Sequence, residues 1–283
     1  AVWIHTFVPG LPLSFLDHNL VEGNSLVGIG KLDEIKDKFV EDQKGLGGLF
    51  SYDPKNLLED SIEPLKILSK LSDSNLKDIK KAVQSNLEAK EKIKHVSALC
   101  DIISIARIRK EIIDVDLERL REDLNSLIGS SLYKKYESEI KSLNPFHFPI
   151  SFPEVFLRPN PGFDVIVGNP PWEEATIEED SFWARYFPGL GGLSQRAQEE
   201  EKELLRKQWP NLNLEYEKDK KIKKSMRQAL ISGEFPGMGT GDPDYYKAFC
   251  WRFWQLIEKQ NGRIGIVLPR STFVSEGSSE FRN

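Results

Sequence analysis

The sequence is poor in cysteine and histidine: Cys100 and Cys250 are its two cysteines, and it has four histidines in 283 residues. Two cysteines are too few for a disulfide framework, and neither has metal-ligand spacing with a histidine. The composition therefore gives no support to a structural zinc module or a catalytic thiol. It favours a reducing compartment, so we expect a cytoplasmic protein.

Long apolar runs and an excess of positive charge are missing as well. No apolar stretch reaches the roughly eighteen residues of a membrane span, so no contact with a membrane is expected. The formal net charge of −5 argues against a uniformly basic nucleic-acid binder but permits local basic patches. The glycine-rich segment 233–241 is not followed by Lys-Ser/Thr, which argues against a nucleoside triphosphatase.

Residues 31–145 combine many charged residues with apolar residues at three-to-four spacing, a pattern typical of amphipathic helices. The longest pattern begins at Ser74 and extends to Ile105, and a shorter one covers Tyr133 to Leu143. Further helices are predicted around Leu32–Phe39, after Asp53-Pro54, and over Leu117–Ile128. We interpret residues 31–145 as a helical insertion with a solvated charged face; a face that contacts DNA is the alternative.

The rest of the chain has the features of an α/β core. Phe163–Val167 and Arg263–Leu268 are short, β-branched segments that predict buried strands. An amphipathic helix is predicted from Asp244 to Ile257, ended by Asn261-Gly262 as a left-handed cap. A helix, a short turn and a buried strand form half of a βαβ unit, so the fold class is predicted to be α/β with a doubly wound sheet.

Two other segments are harder to interpret. Phe146–Phe156 carries alternating prolines and is predicted to be an edge strand or an extended packing segment, with His147 as a core-edge residue. Residues 173–241 are the least regular part, and they include the basic run Lys218–Arg227. This run is either a solvated helix face or a set of phosphate contacts near a substrate cleft.

The stretch Asn169-Pro170-Pro171-Trp172 directly follows the first predicted strand. Two consecutive prolines supply no N–H donors, so the strand cannot continue its ladder. The residue before a proline is also kept out of helical geometry. A stiff loop results at the carboxyl end of a strand, which is where ligands bind in open α/β sheets.

This loop offers groups that suit an exocyclic amino group. The Asn169 amide oxygen and the Pro170 carbonyl form a pair of acceptors, and holding both amino hydrogens turns the nitrogen lone pair towards an electrophile such as a methyl sulfonium. Trp172 would stack on a base, an interaction worth roughly 1–3 kcal/mol. A base in a duplex would reach the loop only when flipped out. The alternative is a rigid loop with a buried tryptophan and no chemistry.

Phe163–Trp172 resembles the catalytic motif of S-adenosylmethionine-dependent N6-adenine DNA methyltransferases. More closely, the chain resembles the large methyltransferases of restriction–modification and related phage-defence systems. Three further segments agree in order: Gly23-Asn24-Ser25-Leu26, Asp244-Tyr245-Tyr246 with Phe249, and Gly262–Pro269. The resemblance implies that Asn169 and Pro170, followed by Pro171, bind the target amino group, that Trp172 stacks on the adenine, and that Asn24 and Phe249 touch the cofactor.

The same resemblance implies a Rossmann-like methyltransferase sheet with a large helical insertion. Residues 1–30 would be part of its core, residues 31–145 the insertion, and residues 146–283 the core with the catalytic loop. The implied cofactor is S-adenosylmethionine and the implied partner is double-stranded DNA, together with a fused or separate endonuclease or other defence subunit. No metal is implied.

The chain also departs from the family pattern. The glycine-rich cofactor loop and the acidic residue for the ribose hydroxyls are not found in it, and both ends are typical of a segment cut from a larger protein. We therefore expect the chain alone to be inactive and to bind S-adenosylmethionine poorly or not at all. Two other functions stay open: a non-catalytic DNA-binding or assembly subunit, and a methyltransferase acting on a protein glutamine amide.

Overall fold

The computed structural model describes residues 20–31, 34, 76–111, 113, 126–176, 179–232, 234–238, 243–274 and 281, with the backbone alone for 76–92. The helix predicted after Asp53-Pro54 lies outside these residues. The helices predicted around Leu32–Phe39 and over Leu117–Ile128 do so too, apart from residue 34 and residues 126–128. The described part of the chain contains no helix that is long and apolar enough to cross a membrane.

The described residues belong to two compact units. The first comprises the described parts of Ala1–Arg107, Glu111–Ile166 and Gln255–Arg263, and the second those of Ile108–Lys110, Val167–Trp254 and Ile264–Asn283. The architecture is mixed α and β, with many helices and a small parallel sheet, which is compatible with the predicted α/β class. The Rossmann-like arrangement and the domain boundaries at 30 and 145 stay predictions.

Helices α1 (Leu76–Arg109) and α2 (Ser131–Leu143) confirm the two helical patterns that the spacing of apolar residues predicts in the first unit. The Ser130 side chain caps α2 by accepting a hydrogen bond from the Tyr133 N–H, and Asn144 ends the helix in the left-handed conformation. Residues Tyr136, Ile140 and Leu143 form its buried face. Their three-to-four spacing is the pattern from which the sequence predicts the helix.

The segment that follows α2 pairs with residues 24–29 of the same unit. The Asn24 N–H donates to Asn144, and the N–H groups of Phe146 and Phe148 donate to the carbonyls of Val27 and Ile29. Gly28 has a φ of 122° where the two segments meet, a conformation that favours glycine. Backbone hydrogen bonds therefore join residues 24–29 to residues 144–148 in one layer, although the first of these segments consists mostly of turns and bends.

His147 is buried in this layer and plays a structural role. Its Nδ1 accepts the Ile29 N–H at 3.1 Å, and its Nε2 lies 3.0 Å from the Asp101 carboxylate on α1. Because Nδ1 accepts, Nε2 carries the proton that is donated to Asp101. The ring thereby connects this layer to the long helix, in line with its interpretation as a core-edge residue.

The prediction of an edge strand or extended segment over 146–156 is wrong from Phe148 onwards. Two single-turn helices, α3 (Phe148–Ser151) and α4 (Pro153–Phe156), follow His147. Each has a proline in its first turn, where the missing N–H costs nothing because that donor has no partner within the helix. The prolines therefore start helical turns instead of marking a sheet edge. The aromatic rings of this segment pack together with Leu256 as a buried cluster.

The two predicted strands are present as β1 (Val165–Gly168) and β2 (Arg263–Ile266), which pair in parallel. The prediction that they are buried is wrong for this structure. Val165 is 62% exposed and Val167 is 81% exposed. A parallel sheet buries both faces only when helices cover them. Among the described residues the sheet has two strands, so much of its surface stays open.

Helix α8 (Tyr245–Leu256) confirms the amphipathic pattern, but its predicted end at Asn261-Gly262 is wrong. The chain leaves the helix at Leu256 because residues 256–258 pair with Phe163: the Phe163 N–H donates to Leu256, and the Glu258 N–H donates to Phe163. The Glu258 carboxylate then accepts the N–H groups of Gln260 and Asn261 in the turn before β2. Gly262 serves close packing, because a Cβ there would collide with the Ile257 side chain.

Residues 173–241 are more regular than predicted. The second unit contains α5 (Glu179–Tyr186), a 3-10 helix (Pro188–Gly192), α6 (Gln195–Gln208) and α7 (Pro210–Leu230). Pro210 opens α7 at its first turn. A buried cluster holds these elements together, formed by Phe182, Trp183, Leu190, Leu205 and Tyr216. A last short helix, α9 (Ser271–Val274), follows β2.

Candidate functional site

The Asn-Pro-Pro-Trp loop begins where the two-stranded ladder ends. The last backbone bond of the ladder is donated by the Val267 N–H to the Gly168 carbonyl at 3.1 Å. In a parallel ladder the next bond would be donated by the backbone N–H of residue 170 to the Val267 carbonyl. Residue 170 is proline and has no N–H, so the ladder stops at this point.

The Trp172 side chain supplies the donor that the backbone lacks. Its indole N–H donates to the Val267 carbonyl at 3.3 Å, while the residue stays 50% exposed. The tryptophan is therefore not the buried core residue of the alternative interpretation. Its polar edge is fixed to the end of β2, and a large part of its ring surface is accessible to a ligand.

The other residues of the loop differ in exposure. Pro170 is buried and anchors the loop, whereas Asn169 and Pro171 are exposed. The Asn169 side chain makes no hydrogen bond with any residue that the structure describes, and no described N–H donates to the Pro170 carbonyl. Among the described residues, neither predicted acceptor is therefore engaged by another group.

Phe249 is connected to this loop through Phe253, one turn further along α8. A Cβ on Gly168 would lie 2.8 Å from the Phe253 ring, so this ring packs directly on the last residue of β1. The Phe249 and Phe253 ring centroids are 5.9 Å apart. Phe249 therefore lies near the Asn-Pro-Pro-Trp loop within the second unit, with the Phe253 ring between them.

Asn24, the other predicted cofactor residue, lies in the first unit. Its side-chain oxygen accepts the Leu26 N–H at 3.2 Å, and its carbonyl accepts the Val27 N–H at 3.1 Å. These bonds are those of an ordinary asparagine turn.

A cavity of about 440 Å³ adjoins Trp172 within the second unit. Its walls are the segment 172–176, helix α5 and the middle of α7. The lining residues are Trp172, Glu173, Glu174, Thr176, Ser181, Phe182, Arg185, Tyr216, Asp219, Lys220 and Lys223. Its volume lies within the usual range of small-molecule sites. Sequence reasoning singled out Trp172 and the basic run but not Phe182, Arg185 or Tyr216.

Glu179 stabilises the wall of this cavity by hydrogen bonds between the helices that form it. The carboxylate accepts hydrogen bonds from Arg206, the Trp183 indole and the Tyr216 hydroxyl. Burial opposes ionisation, but the Arg206 guanidinium outweighs it and lowers the pKa of Glu179. Burial, followed by the Glu179 charge, raises the pKa of Tyr216 to about 12, so its phenol stays protonated at neutral pH.

Neither thiol is suited to nucleophilic chemistry. Cys100 is buried in α1, and burial followed by the Asp101 charge raises the pKa of its thiol. Burial raises the pKa of Cys250 to about 11. Among the described residues, no group of three or more His, Cys, Asp and Glu side chains could hold a metal ion.

These features, an acceptor pair and a fixed aromatic ring at the end of a parallel strand, are typical of an enzyme that acts on an amino group. The model of the Eco57I restriction-modification methylase family matches residues 65–208. The match covers half of the chain and includes the Asn-Pro-Pro-Trp loop. The chain belongs to this family and is a restriction–modification methylase. No curated protein and no solved structure matches the chain.

Helices α5 and α6 were not predicted, and α7 was predicted only as one interpretation of the basic run, because the buried positions of these helices do not follow a simple apolar period. On α6 the buried residues are Lys202 and Leu205, and a lysine on the inner face hides the pattern. The Lys202 side chain is 3% exposed and pairs with Asp180 at 2.7 Å and with Glu199. The dense alternation of charges in 195–208 could have indicated a helix.

Proposed function

We propose that the protein is a site-specific DNA methyltransferase that transfers a methyl group from S-adenosylmethionine to N6 of an adenine flipped out of the duplex. The observation that carries the proposal is the loop after β1, where Asn169 is exposed and Trp172 is held by Val267. Membership of the restriction–modification methylase family supports DNA as the substrate.

In the proposed mechanism the Asn169 amide oxygen and the Pro170 carbonyl accept the two hydrogens of the adenine amino group. This pairing lowers the conjugation of the nitrogen lone pair with the ring and directs it at the methyl group. Trp172 stacks on the base, and its hydrogen bond to Val267 keeps the indole from rotating. Gly168 and Phe253 fix the loop from the strand side. As the N–C bond forms, the C–S bond of the sulfonium would break and a neutral thioether would leave. The methylated nitrogen would then lose one hydrogen as a proton to water, by way of the Asn169 or Pro170 oxygen that accepts it, so no strong general base is required.

S-adenosylmethionine would supply the electrophilic methyl group. The described residues fit this cofactor in part. Phe249 is partly buried against Phe253 and offers a ring near the loop, whereas the Asn24 side-chain oxygen accepts the Leu26 N–H in its own turn. The two residues lie in different units, and each is assigned a contact with the cofactor's adenine by family resemblance. We expect calorimetric titration of the chain alone to show weak S-adenosylmethionine binding or none; micromolar binding would overturn this.

The decisive experiment compares Asn169→Ala with the unaltered full-length protein. With tritiated S-adenosylmethionine and DNA, we expect the variant to lose methylation while DNA binding stays largely intact, because one of the two acceptors is gone. Mass spectrometry of the digested DNA should identify N6-methyladenine as the product. Asn160→Ala, an exposed asparagine before β1, is the matched control and should keep full activity. Unchanged methylation by the Asn169→Ala variant would contradict the assignment of the site.

A further inference from the structure

The cavity beside Trp172 is separate from the pair of groups that would hold the amino group. Asn169 and Pro170 do not line it, whereas Trp172 does. We propose that this cavity is a subsite for the phosphodiester backbone of the strand that carries the extruded nucleotide. Arg185, Lys220 and Lys223 would be its phosphate-binding side chains. The assignment rests on the proposed function, because Trp172 links the subsite to the base.

The first argument is that these three cations take no part in the ion pairs that the structure describes between the helices. Among the described residues, no carboxylate pairs with Arg185, Lys220 or Lys223. In contrast, neighbouring cations that hold the helices together are paired: Lys202 with Asp180, and Arg206 with Glu179. The cations at the cavity are therefore not required for the packing of α5, α6 and α7. They keep their charge for a ligand.

The second argument is their arrangement on α7. Tyr216, Lys220 and Lys223 follow one another at helical spacing, so they share one face of the helix. The Lys220 ammonium lies 5.5 Å from the centre of the Tyr216 ring, a contact that holds the lysine side chain against the wall of the cavity. Arg185 reaches the same cavity from α5. Cations from two helices thus converge on one volume.

The third argument concerns the acidic residues of the cavity. Glu173 and Glu174 come from the segment next to Trp172, and Asp219 is on α7; all three are exposed. Carboxylates repel a phosphate, so Glu173 and Glu174 would direct the phosphodiester away from segment 172–176. On the helical wall the charge of Asp219 would be outweighed by those of Arg185, Lys220 and Lys223. Phe182 and Tyr216, whose ring centroids are 5.1 Å apart, form the apolar part of that wall. Cations combined with aromatic rings are the usual platform for a single-stranded segment.

The test measures the binding of a fluorescent 20-nucleotide oligodeoxyadenylate by the full-length protein over a series of salt concentrations. Each phosphate contact with a single strand contributes about 0.7 to the slope of log affinity against log salt. We expect Lys220→Gln/Lys223→Gln to lower the slope by about 1.4 and the affinity at 0.1 M salt by roughly tenfold or more. Adding Arg185→Gln to this double variant should lower both the slope and the affinity further.

The matched control is Lys218→Gln/Lys224→Gln, which removes the same charge from exposed positions of α7 that do not line the cavity. This pair should change the slope little, and the thermal melting of both double variants should equal that of the unaltered protein. Equal losses of affinity and of salt slope in the two double variants would show that the whole basic face of α7 contributes diffusely, and this would overturn the subsite. No change in either pair, or no binding by the unaltered protein, would overturn it as well. Binding by the Asn169→Ala variant separates this result from a failure of methylation.

Discussion

At the scale of single residues, the bond between the Trp172 indole and the Val267 carbonyl explains how a proline pair can follow a strand. Pro170 removes the backbone donor that Val267 would otherwise meet, and the side chain two residues later replaces it. A loop that cannot continue the sheet is thereby fastened to it. The same bond fixes the indole plane next to the exposed amide of Asn169, which is a requirement for stacking on a base whose amino group is held.

We predict that Trp172→Phe separates two contributions of the indole: the attachment of the loop to β2 and the orientation of the aromatic ring. Phenylalanine keeps an aromatic ring but has no N–H, so the ring loses its fixed orientation. The free energy of unfolding should fall by at most about 1 kcal/mol, because Val267 is half exposed and water can replace the donor. Methylation by the full-length protein should fall several-fold in kcat, with DNA affinity nearly unchanged.

The control for this prediction is Trp209→Phe, which alters an exposed tryptophan between α6 and α7. It should leave kcat unchanged. An unchanged kcat in Trp172→Phe would mean that the hydrogen bond to Val267 does not orient the ring, and a large loss of DNA affinity would mean that the indole itself binds the duplex.

At the scale of elements, α5 is attached to α6 and α7 by ion pairs as well as by the aromatic cluster. Glu179, in the first turn of α5, joins Arg206 on α6 and Tyr216 on α7, and Asp180 pairs with the buried Lys202. The position of Arg185 at the cavity depends on this attachment, because it lies on the same short helix. Removal of one partner from such a network leaves a charge poorly compensated.

We predict that Glu179→Gln lowers the free energy of unfolding at neutral pH by about 1–2 kcal/mol. The folded pKa of Glu179 is lowered from its ordinary value of 4.5, so its charge stabilises the protein above that pH. The stabilisation is lost as the pH falls through the lowered folded pKa. The difference between the unaltered protein and the variant in urea unfolding should therefore be full above about pH 5 and vanish in acid.

The control is Glu200→Gln, which removes one partner of an exposed i, i+4 pair with Arg196. Exposed pairs contribute about 0–1 kcal/mol, so this variant should unfold almost like the unaltered protein at every pH. Glu179→Gln could also have a lower free energy of unfolding than the unaltered protein at pH values below the pKa of a normal carboxyl group. That result would point to altered packing instead of a lost charge.

The elements also show what the sequence could predict. Helices α1, α2 and α8 and the strand pair followed from apolar spacing and β-branched runs, since those patterns report local geometry. The end of α8 did not, because the pairing of Leu256 and Glu258 with Phe163 is a contact between distant parts of the chain. The exposure of Val165 and Val167 was missed for a similar reason: burial depends on what covers a strand, not on its own residues.

At the scale of the whole molecule, the candidate site residues Asn169, Pro170, Trp172 and Phe249 could be identified from sequence and lie in the second unit. Asn24 lies in the first. The cavity was beyond sequence reasoning, because Phe182, Arg185 and Tyr216 come from helices whose packing depends on buried charge. Each unit has its own buried core and contains one cysteine, Cys100 in the first unit and Cys250 in the second. The two thiols can therefore report on the opening of the two units separately.

We predict that Cys100 is protected from a thiol reagent far more strongly than Cys250. Cys100 is 1% exposed, so its reaction requires opening of the structure around α1, whereas Cys250 is half buried. With a pKa of about 11, only about one thousandth of Cys250 is thiolate at pH 8, so its reaction should also be slow but measurable. In Cys250→Ala, labelling of Cys100 should rise steeply with urea; in Cys100→Ala, labelling of Cys250 should begin without urea. Fast native labelling of Cys100 would contradict its burial in the core of the first unit.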